Sequence, residues 1–475
     1  MINQLLTIVK NNPSAVFLNY KNKSYSYEEI QIQVIHTARV INQYNLKKNI
    51  LIGIQILDPL EFIINWFACD YLGLISVLIN PKFKSTELNT IINSVQLSHL
   101  ITSRKSVSKK LINKVNLIFN EDGASIQNCG VSIKPVQKNL IDTITIIFTS
   151  GSNGKPKPVE LSTQNFLYSF KNWNDEIKFS NNDSIMNILP LHHIAGISAI
   201  IRGLLSHCPV YLLEKFNIDN FILEASKQKI TVISLVPTII YTLLQIEEGI
   251  KCLQSFRMIL TGGGPANSIL LEKCIKLNIP IFVTYGMTET CSGVSGFWIN
   301  DYPKKLNSVG KPFNYLTIST APQKNKYSKI CILGEIIANG YWGELPFNSQ
   351  FISNDLGEID KDGFLFLKPL RQDRIVTGGE NVNPFEIEEV IIKFPNIVEC
   401  YVIGVENQKW GEEIIAFIKT NEKFNKLDLV EFCKNQLLEF KIPKKFIICE
   451  ELPKNELGKI NRLKVDQLIK GHEHI

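Results

Sequence analysis

Short runs of β-branched and aliphatic residues alternate along most of this chain with longer amphipathic segments. The run Ile50 to Ile56 is followed by amphipathic Leu60 to Gly73, then Ser76 to Ile79, Ser85 to Asn93 and Leu97 to Thr102. Alternation of this kind predicts strand–helix–strand units whose strands pair in parallel beneath flanking helices. The rhythm returns at Ser184 to Leu189, passes through helix-like Ile197 to Ser206 to Val210 to Leu213, and recurs at Thr231 to Leu235, Met258 to Thr261 and Ile281 to Thr284. Past Leu316 the texture changes to short strands and turns, Ile330 to Ile337 and Gly363 to Leu367, which predicts a small β subdomain. A second break falls near Leu370. Beyond Pro384 the order is helix (Phe385 to Phe394), strand (Glu399 to Val405), strand (Glu413 to Thr420), helix (Lys426 to Leu438) and strand (Lys445 to Cys449), a unit of about 100 residues. The expected fold class is α/β. A large N-terminal domain over residues 1–370 would hold flanked parallel sheets and the β subdomain, and an α+β C-terminal domain would take 371–475. A chain of 475 residues is too long for one hydrophobic core.

Composition narrows the partners. Hydrophobic content of 45% is ordinary, and a net charge of +6 is carried by scattered lysines with no run of five or more. No nucleic-acid or membrane footprint follows, while anionic small ligands fit. The longest apolar stretches, Gly196 to Leu205 and Leu72 to Ile79, are shorter than the roughly 20 residues that span a bilayer, so no membrane span is expected. The opening MINQLLTIVKNNPS lacks the basic and apolar regions of an export signal. Ten cysteines show neither C-x-x-C pairs nor zinc-ligand spacing, which predicts reduced thiols in a cytoplasmic protein. Whether the chain works alone or as a homodimer is left open.

Candidate chemistry begins at FTSGSNGKPKPVELS, residues 148 to 162, directly after the apolar run Ile144 to Phe148. Gly151 and Gly154 let backbone N–H groups approach phosphate oxygens, Thr149, Ser150, Ser152 and Asn153 add side-chain donors, and Lys155 and Lys157 add positive charge. The glycines are three positions apart and Pro156 follows Lys155, so this is not the P-loop of the common NTPases. A surface turn has a similar composition and stands as the alternative.

The segment resembles the TSGTTGxPK signature of the adenylate-forming superfamily of acyl-CoA synthetases, luciferases and adenylation domains, with Asn153 and Pro158 as departures. The resemblance extends along almost the whole chain. Tyr285, Gly286, Met287, Thr288 and Glu289 match the family's YGxTE motif. The family implies ATP bound with Mg2+, Glu289 as the metal ligand and Thr288 as a donor to the α-phosphate; a Thr-Glu pair after a strand is otherwise an ordinary helix start. Gly262, Gly263 and Gly264 resemble the turn on which adenine lies, and Asp355 matches the aspartate that grips the ribose hydroxyls. The family's ribose arginine would fall at Leu370, which leaves neighbouring Arg371 as its candidate. Gln372 matches the hinge about which a mobile C-terminal lid turns. Gly378, Gly379 and Glu380 resemble the segment used in thioester formation, and Lys459 matches the catalytic lysine of the PxxxxGK ending. The implied reaction has two steps, acyl-adenylate formation with release of pyrophosphate and then attack by the thiol of coenzyme A.

The acid is read from another segment. His193, in PLHHIAG, matches the histidine at the mouth of the family's acyl pocket. Arg202, nine residues on, interrupts an apolar helix. A buried guanidinium needs a partner, which could be an internal carboxylate or a second carboxylate on the substrate. The stretches around PLHHIAGISAIIRGLLSHCPVYLLEKF and VIGVENQKWGEEIIAFI resemble the o-succinylbenzoate-activating ligases of menaquinone and phylloquinone biosynthesis. That resemblance implies an aromatic dicarboxylate read by Arg202. A medium-chain or aryl acid–CoA ligase, a ligase loading a carrier protein, and a nucleotide-binding regulatory relative are the competing readings.

Overall fold

The strand-forming runs of the first two thirds of the chain assemble into two mainly parallel sheets in a computed structural model of the protein. It describes residues 1–83, 85–102, 115–119, 133–149, 156–213, 216–263, 268–320, 328–368, 375–377, 380–407, 411–422, 425–437, 439–454, 461, 464–465 and 467–469. The chain divides into one unit of Met1–Gly262, Ser268–Ile318 and Cys331–Phe351 and a second of Gly263–Asn267, Ser319–Ile330 and Ile352–Ile475.

In the first unit a nine-stranded sheet runs in the order Lys311–Pro312, Ser292–Trp298, Ile281–Met287, Met258–Thr261, Val232–Leu235, Ile185–Asn187, Val210–Leu212, Val16–Tyr20, Lys23–Ser26. Its central strands are parallel, with antiparallel partners at both edges. Winding reverses at Ile185–Asn187, whose two neighbours are the next two strands in the chain, Val210–Leu212 and Val232–Leu235. Such a switch point opens a crevice at the carboxyl ends of the strands. The second sheet runs Gly340–Tyr341, Lys157–Ser162, Thr143–Thr149, Ile75–Leu78, Leu51–Gln55, His99–Thr102, Asn116–Phe119. Strand Leu51–Gln55 is buried at every position, as parallel strands covered on both faces require.

Helix Thr163–Ile177 contacts both sheets, touching strands Lys157–Ser162 and Ser292–Trp298 as well as helix Ile194–Ser206. Its start is fixed by a capping box in which Ser162 and Asn165 exchange side-chain and backbone hydrogen bonds. Its face carries Phe166 and Trp173, both 1% exposed. Helix Ile194–Ser206 starts three residues earlier than periodicity predicts and packs so closely on Val210 that a Cβ at Gly203 would lie 2.0 Å from Val210 Cγ2.

In the second unit, strand Gln350–Ile359 pairs with Leu365–Lys368 from Leu356 onward. A five-stranded sheet orders Glu380–Val382, Ile375–Thr377, Gly411–Thr420 and Ile397–Asn407, with Lys445–Ile448 beside Gly411–Thr420. Helices Pro384–Ile391 and Lys426–Lys434 cover a core containing Ile387, Val402, Ala416 and Leu429. Both helices end earlier than the apolar pattern suggested, and the paired strands run longer, because the antiparallel pairing extends to Asn407 and Gly411. Within Ile330 to Ile337 the strand stops at Leu333, where Gly334 turns the chain with φ of 153°.

Candidate active site

Four parallel strands of the nine-stranded sheet end at one edge and deliver the first candidate residues there. Ile185–Asn187 leads into His193, Val232–Leu235 carries Ser234, Met258–Thr261 leads into Gly262, and Ile281–Met287 leads into Thr288 and Glu289. His193 occupies the N-cap of helix Ile194–Ser206, its ring centroid 4.3 Å from that of His192. His192 is buried, and burial, with the charge of His193 and Lys82 adding to it, holds its imidazole well below the usual histidine range. Gly262 lies against the neighbouring strand, where a Cβ would stand 2.7 Å from the Thr284 carbonyl. Gly263 turns with φ of 77°.

Tyr285, Gly286 and Met287 complete the strand, in register with Ser295, Gly293 and Ser292 of the antiparallel partner. Gly286 is required by close approach, since a Cβ there would fall 2.0 Å from the Ser292 carbonyl oxygen. Thr288–Thr290 is a single 3₁₀ turn and not the start of an α-helix. Glu289 is 9% exposed, and the Tyr341 hydroxyl donates to its Oε1 at 2.8 Å. Burial, the Glu289 charge and this bond all raise the Tyr341 phenol, which keeps it a neutral donor. Among the described residues no protein group donates to Oε2.

Thr149 and Lys157 face each other across the hairpin that carries the glycine-rich segment. Pro158 follows in the strand; it lacks an N–H, and its carbonyl accepts from the Trp342 amide at 2.8 Å. Strand Gly340–Tyr341 pairs with the same hairpin through Tyr341 opposite Val159. That register puts the Lys157 ammonium 4.4 Å from the Tyr341 ring centroid, so one side chain links the hairpin base to Glu289. Tyr341 has no motif to announce it and is absent from the sequence reading. Its only cue is an aromatic pair after Gly340.

Arg202 projects from helix Ile194–Ser206 and is 6% exposed. Nη2 donates to Ser292 Oγ at 3.2 Å and Nη1 reaches Ser234 Oγ at 3.5 Å, while buried Nε has no partner. The guanidinium carbon sits 4.7 Å from the centroid of the Trp173 ring. No carboxylate pairs with it among the described residues, so the internal-carboxylate alternative finds no support there. Burial pushes the guanidinium down to about 10, with Cys291 acting in the opposite sense, and it stays charged at neutral pH.

In the second unit, the Asp355 backbone N–H donates to Ser353 Oγ at 3.1 Å and the residue is half-buried. Glu380 opens a strand opposite Thr377. Ser150, Gly151, Ser152, Asn153, Gly154, Lys155, Gly264, Arg371, Gln372, Gly378, Gly379 and Lys459 lie outside the described residues.

The donors at hand suit Mg2+. A carboxylate held at one oxygen presents a hard ligand with the other, and among the described residues no cluster of three His, Cys, Asp or Glu could cage an ion. A cation at Glu289 would therefore complete its shell with phosphate and water, the usual arrangement for Mg2+. Cysteines 69, 208, 252, 274, 291, 331, 400, 433 and 449 are free thiols. Among the described residues no helix is long and apolar enough to cross a membrane.

Comparison with known proteins gives matches along almost the whole chain. The family model described as AMP-binding enzyme matches residues 6–342, and that described as AMP-binding enzyme C-terminal domain matches 386–459. A 2-succinylbenzoate–CoA ligase from Bacillus velezensis is 30% identical over 99% of this chain and 98% of its own. The o-succinylbenzoate CoA synthetase from Bacillus subtilis, solved with its acyl-adenylate intermediate, superposes with a TM-score of 0.88 at 28% identity, covering 98% of this chain and 97% of the other. The same enzyme solved with ATP and magnesium ion gives 0.87 at 27% identity, covering 98% and 99%.

Proposed function

Because the chain belongs to the AMP-binding enzyme family, we propose that it is an ATP-dependent acid–CoA ligase that converts o-succinylbenzoate to o-succinylbenzoyl-CoA, a step of menaquinone and phylloquinone biosynthesis. The observation that carries the substrate assignment is Arg202, a buried cation with no carboxylate beside it among the described residues and an unused N–H at Nε. An unpaired buried charge costs several kcal/mol, and a carboxylate arriving with the ligand removes that cost through charge-assisted bonds. A fatty acid has only the carboxylate that is activated and offers no second one to this group.

In this reading the aliphatic carboxylate oxygen of the substrate attacks the α-phosphorus of ATP. The bond to the bridging oxygen breaks and pyrophosphate leaves with its electron pair. Glu289, its carboxylate fixed by Tyr341, would hold Mg2+, which when bound would offset the negative charge of the phosphates. Thr149, Ser150, Gly151, Ser152, Asn153, Gly154 and Lys155 grip the departing pyrophosphate by N–H, hydroxyl and ammonium donors. Lys157, held on the Tyr341 ring, adds positive charge at the hairpin base. Thr288 donates to the α-phosphate, Gly262, Gly263 and Gly264 lie under adenine, and Asp355 and Arg371 hold the ribose. Lys459 neutralises charge developing between the attacking oxygen and the α-phosphate. His193 bounds the acyl pocket. In the second half-reaction the thiol sulfur of coenzyme A attacks the acyl carbon, AMP leaves with the oxygen, and Gly378, Gly379 and Glu380 line the pantetheine path, with Gln372 as the hinge. Free thiols and the lack of a spanning helix among the described residues fit a cytoplasmic setting.

The test is Arg202→Ala assayed on o-succinylbenzoate and on 4-oxo-4-phenylbutyrate, which lacks the ring carboxylate. Loss of a bidentate charge-assisted contact should raise KM for the dicarboxylate by about 100-fold relative to the monocarboxylate. Equal effects on both would make Arg202 a structural residue and sink the assignment.

A further inference from the structure

Ser292 holds a backbone conformation that a side chain normally avoids. Its φ is 137°, directly after Cys291 at 50°. A non-glycine residue persists in such a region only where its surroundings demand it, and the demand commonly belongs to function. Glycine would adopt this angle freely. Something must favour the hydroxyl.

The contacts say what it does. Ser292 Oγ accepts from Trp173 Nε1 at 3.0 Å and from Arg202 Nη2 at 3.2 Å, so both acceptor positions of one hydroxyl are filled by the two groups that face each other. Trp173 is itself locked. Phe313 and Phe282 pack edge-on against it with centroids 5.1 and 5.9 Å away, and its Cζ2 occupies the place where a Cβ on Gly293 would come within 2.5 Å. The ring sets the plane over which the guanidinium lies, 4.7 Å from its centroid, and Ser292 fixes the rotation of the guanidinium within that plane. The Ser292 backbone is held in turn by Thr290 Oγ1, 2.7 Å from its carbonyl, and fits only because Gly286 has no side chain.

We propose that Ser292 and Trp173 are positioning residues that pre-orient Arg202 for the second carboxylate of the substrate and so determine specificity for a dicarboxylate. A preset guanidinium loses little rotamer freedom when the ligand arrives, which favours affinity for a group that needs two parallel bonds. The proposal rests on the reading of Arg202 given above.

Ser292→Gly separates this role from a structural one, because glycine relieves the backbone angle while removing the hydroxyl. Relief of the backbone angle offsets part of the cost of leaving Trp173 Nε1 and Arg202 Nη2 without this acceptor, so the variant stays folded at the assay temperature and the role is read from the kinetics. Its kcat/KM ratio for o-succinylbenzoate over 4-oxo-4-phenylbutyrate should fall about tenfold, the equivalent of one hydrogen bond to a charged group, with the loss in KM for the dicarboxylate. Trp173→Phe, which keeps a ring but removes the N–H, should lower the same ratio. An unchanged ratio in Ser292→Gly overturns the proposal, as does a lower melting temperature with equal losses on both acids. Arg202→Ala in the same assay tells the two failures apart. If it collapses the ratio while Ser292→Gly does not, only the positioning role is lost; if it leaves the ratio intact, the reading of Arg202 falls and this proposal with it.

Discussion

Tyr341→Phe tests the link between the hairpin and Glu289 with a single atom. The substitution keeps the ring, and with it the contact to the Lys157 ammonium at 4.4 Å and the edge-on packing on Phe347 at 5.0 Å. What disappears is the 2.8 Å bond from the phenol to Glu289 Oε1, buried on both sides. A hydrogen bond to a charged acceptor contributes about 1.5–3 kcal/mol, and the carboxylate left behind is only 9% exposed, so water recovers little of it. The unfolding free energy should therefore fall by about 2 kcal/mol. The functional consequence is larger in one parameter than in the others. Outer-shell partners of metal ligands are commonly worth 10- to 100-fold in metal affinity or activity, so KM for Mg·ATP should rise about tenfold while KM for the acid does not follow. The assay is initial-rate pyrophosphate release with free Mg2+ in excess, varying Mg·ATP and acid separately, beside denaturant unfolding. If stability falls and KM for Mg·ATP does not move, Tyr341 only packs, and Glu289 is not the group that meets the metal.

Two further outcomes follow from the assigned chemistry. Lys459→Ala should abolish acyl-adenylate formation while retaining most thioester formation from supplied acyl-AMP; equal loss of both half-reactions would place the lysine elsewhere in the mechanism. His192 is kept neutral by burial, with His193 and Lys82 against it, whereas the unfolded chain protonates it below the ordinary value of 6.5. Stability from this group is thus complete above pH 6.5 and lost as pH falls below it, at up to about 1.4 kcal/mol per pH unit. Denaturation midpoints measured at pH 7.5 and 5.5 should diverge less in His192→Gln than in the parent, and an identical slope would show that His192 does not govern the loss.

The pattern of apolar positions was enough to anticipate most parallel strands of both large sheets, though not Val16–Tyr20 or Asn116–Phe119, because strands covered on two faces are written as short continuous runs such as Leu51–Gln55. It did not reach Ser292–Trp298, whose serines and glycines interrupt any apolar run. That segment is a strand because Trp173 and Phe282 fill the space its glycines leave, a fact of packing with no local trace. The same limit hid Tyr341, 52 positions from the carboxylate it binds and brought there by the pairing of Tyr341 with Val159. For Arg202 the sequence posed a sharp question, since an arginine among buried aliphatics must have some partner. It could not say whether a carboxylate waited nearby, because that depends on which strands end beside the helix. The structure supplies Ser234, Ser292 and Trp173 in that place. Ser292 itself was beyond reach, its meaning lying in a backbone angle and two acceptor contacts.

The most direct measurement supplies the purified protein with ATP, Mg2+, coenzyme A and either o-succinylbenzoate, hexanoate or benzoate, and follows AMP, pyrophosphate and the acyl-CoA product by mass. The account predicts AMP, pyrophosphate and o-succinylbenzoyl-CoA in equal amounts, with the two monocarboxylates far slower. Thioester from hexanoate or benzoate with none from o-succinylbenzoate would contradict it.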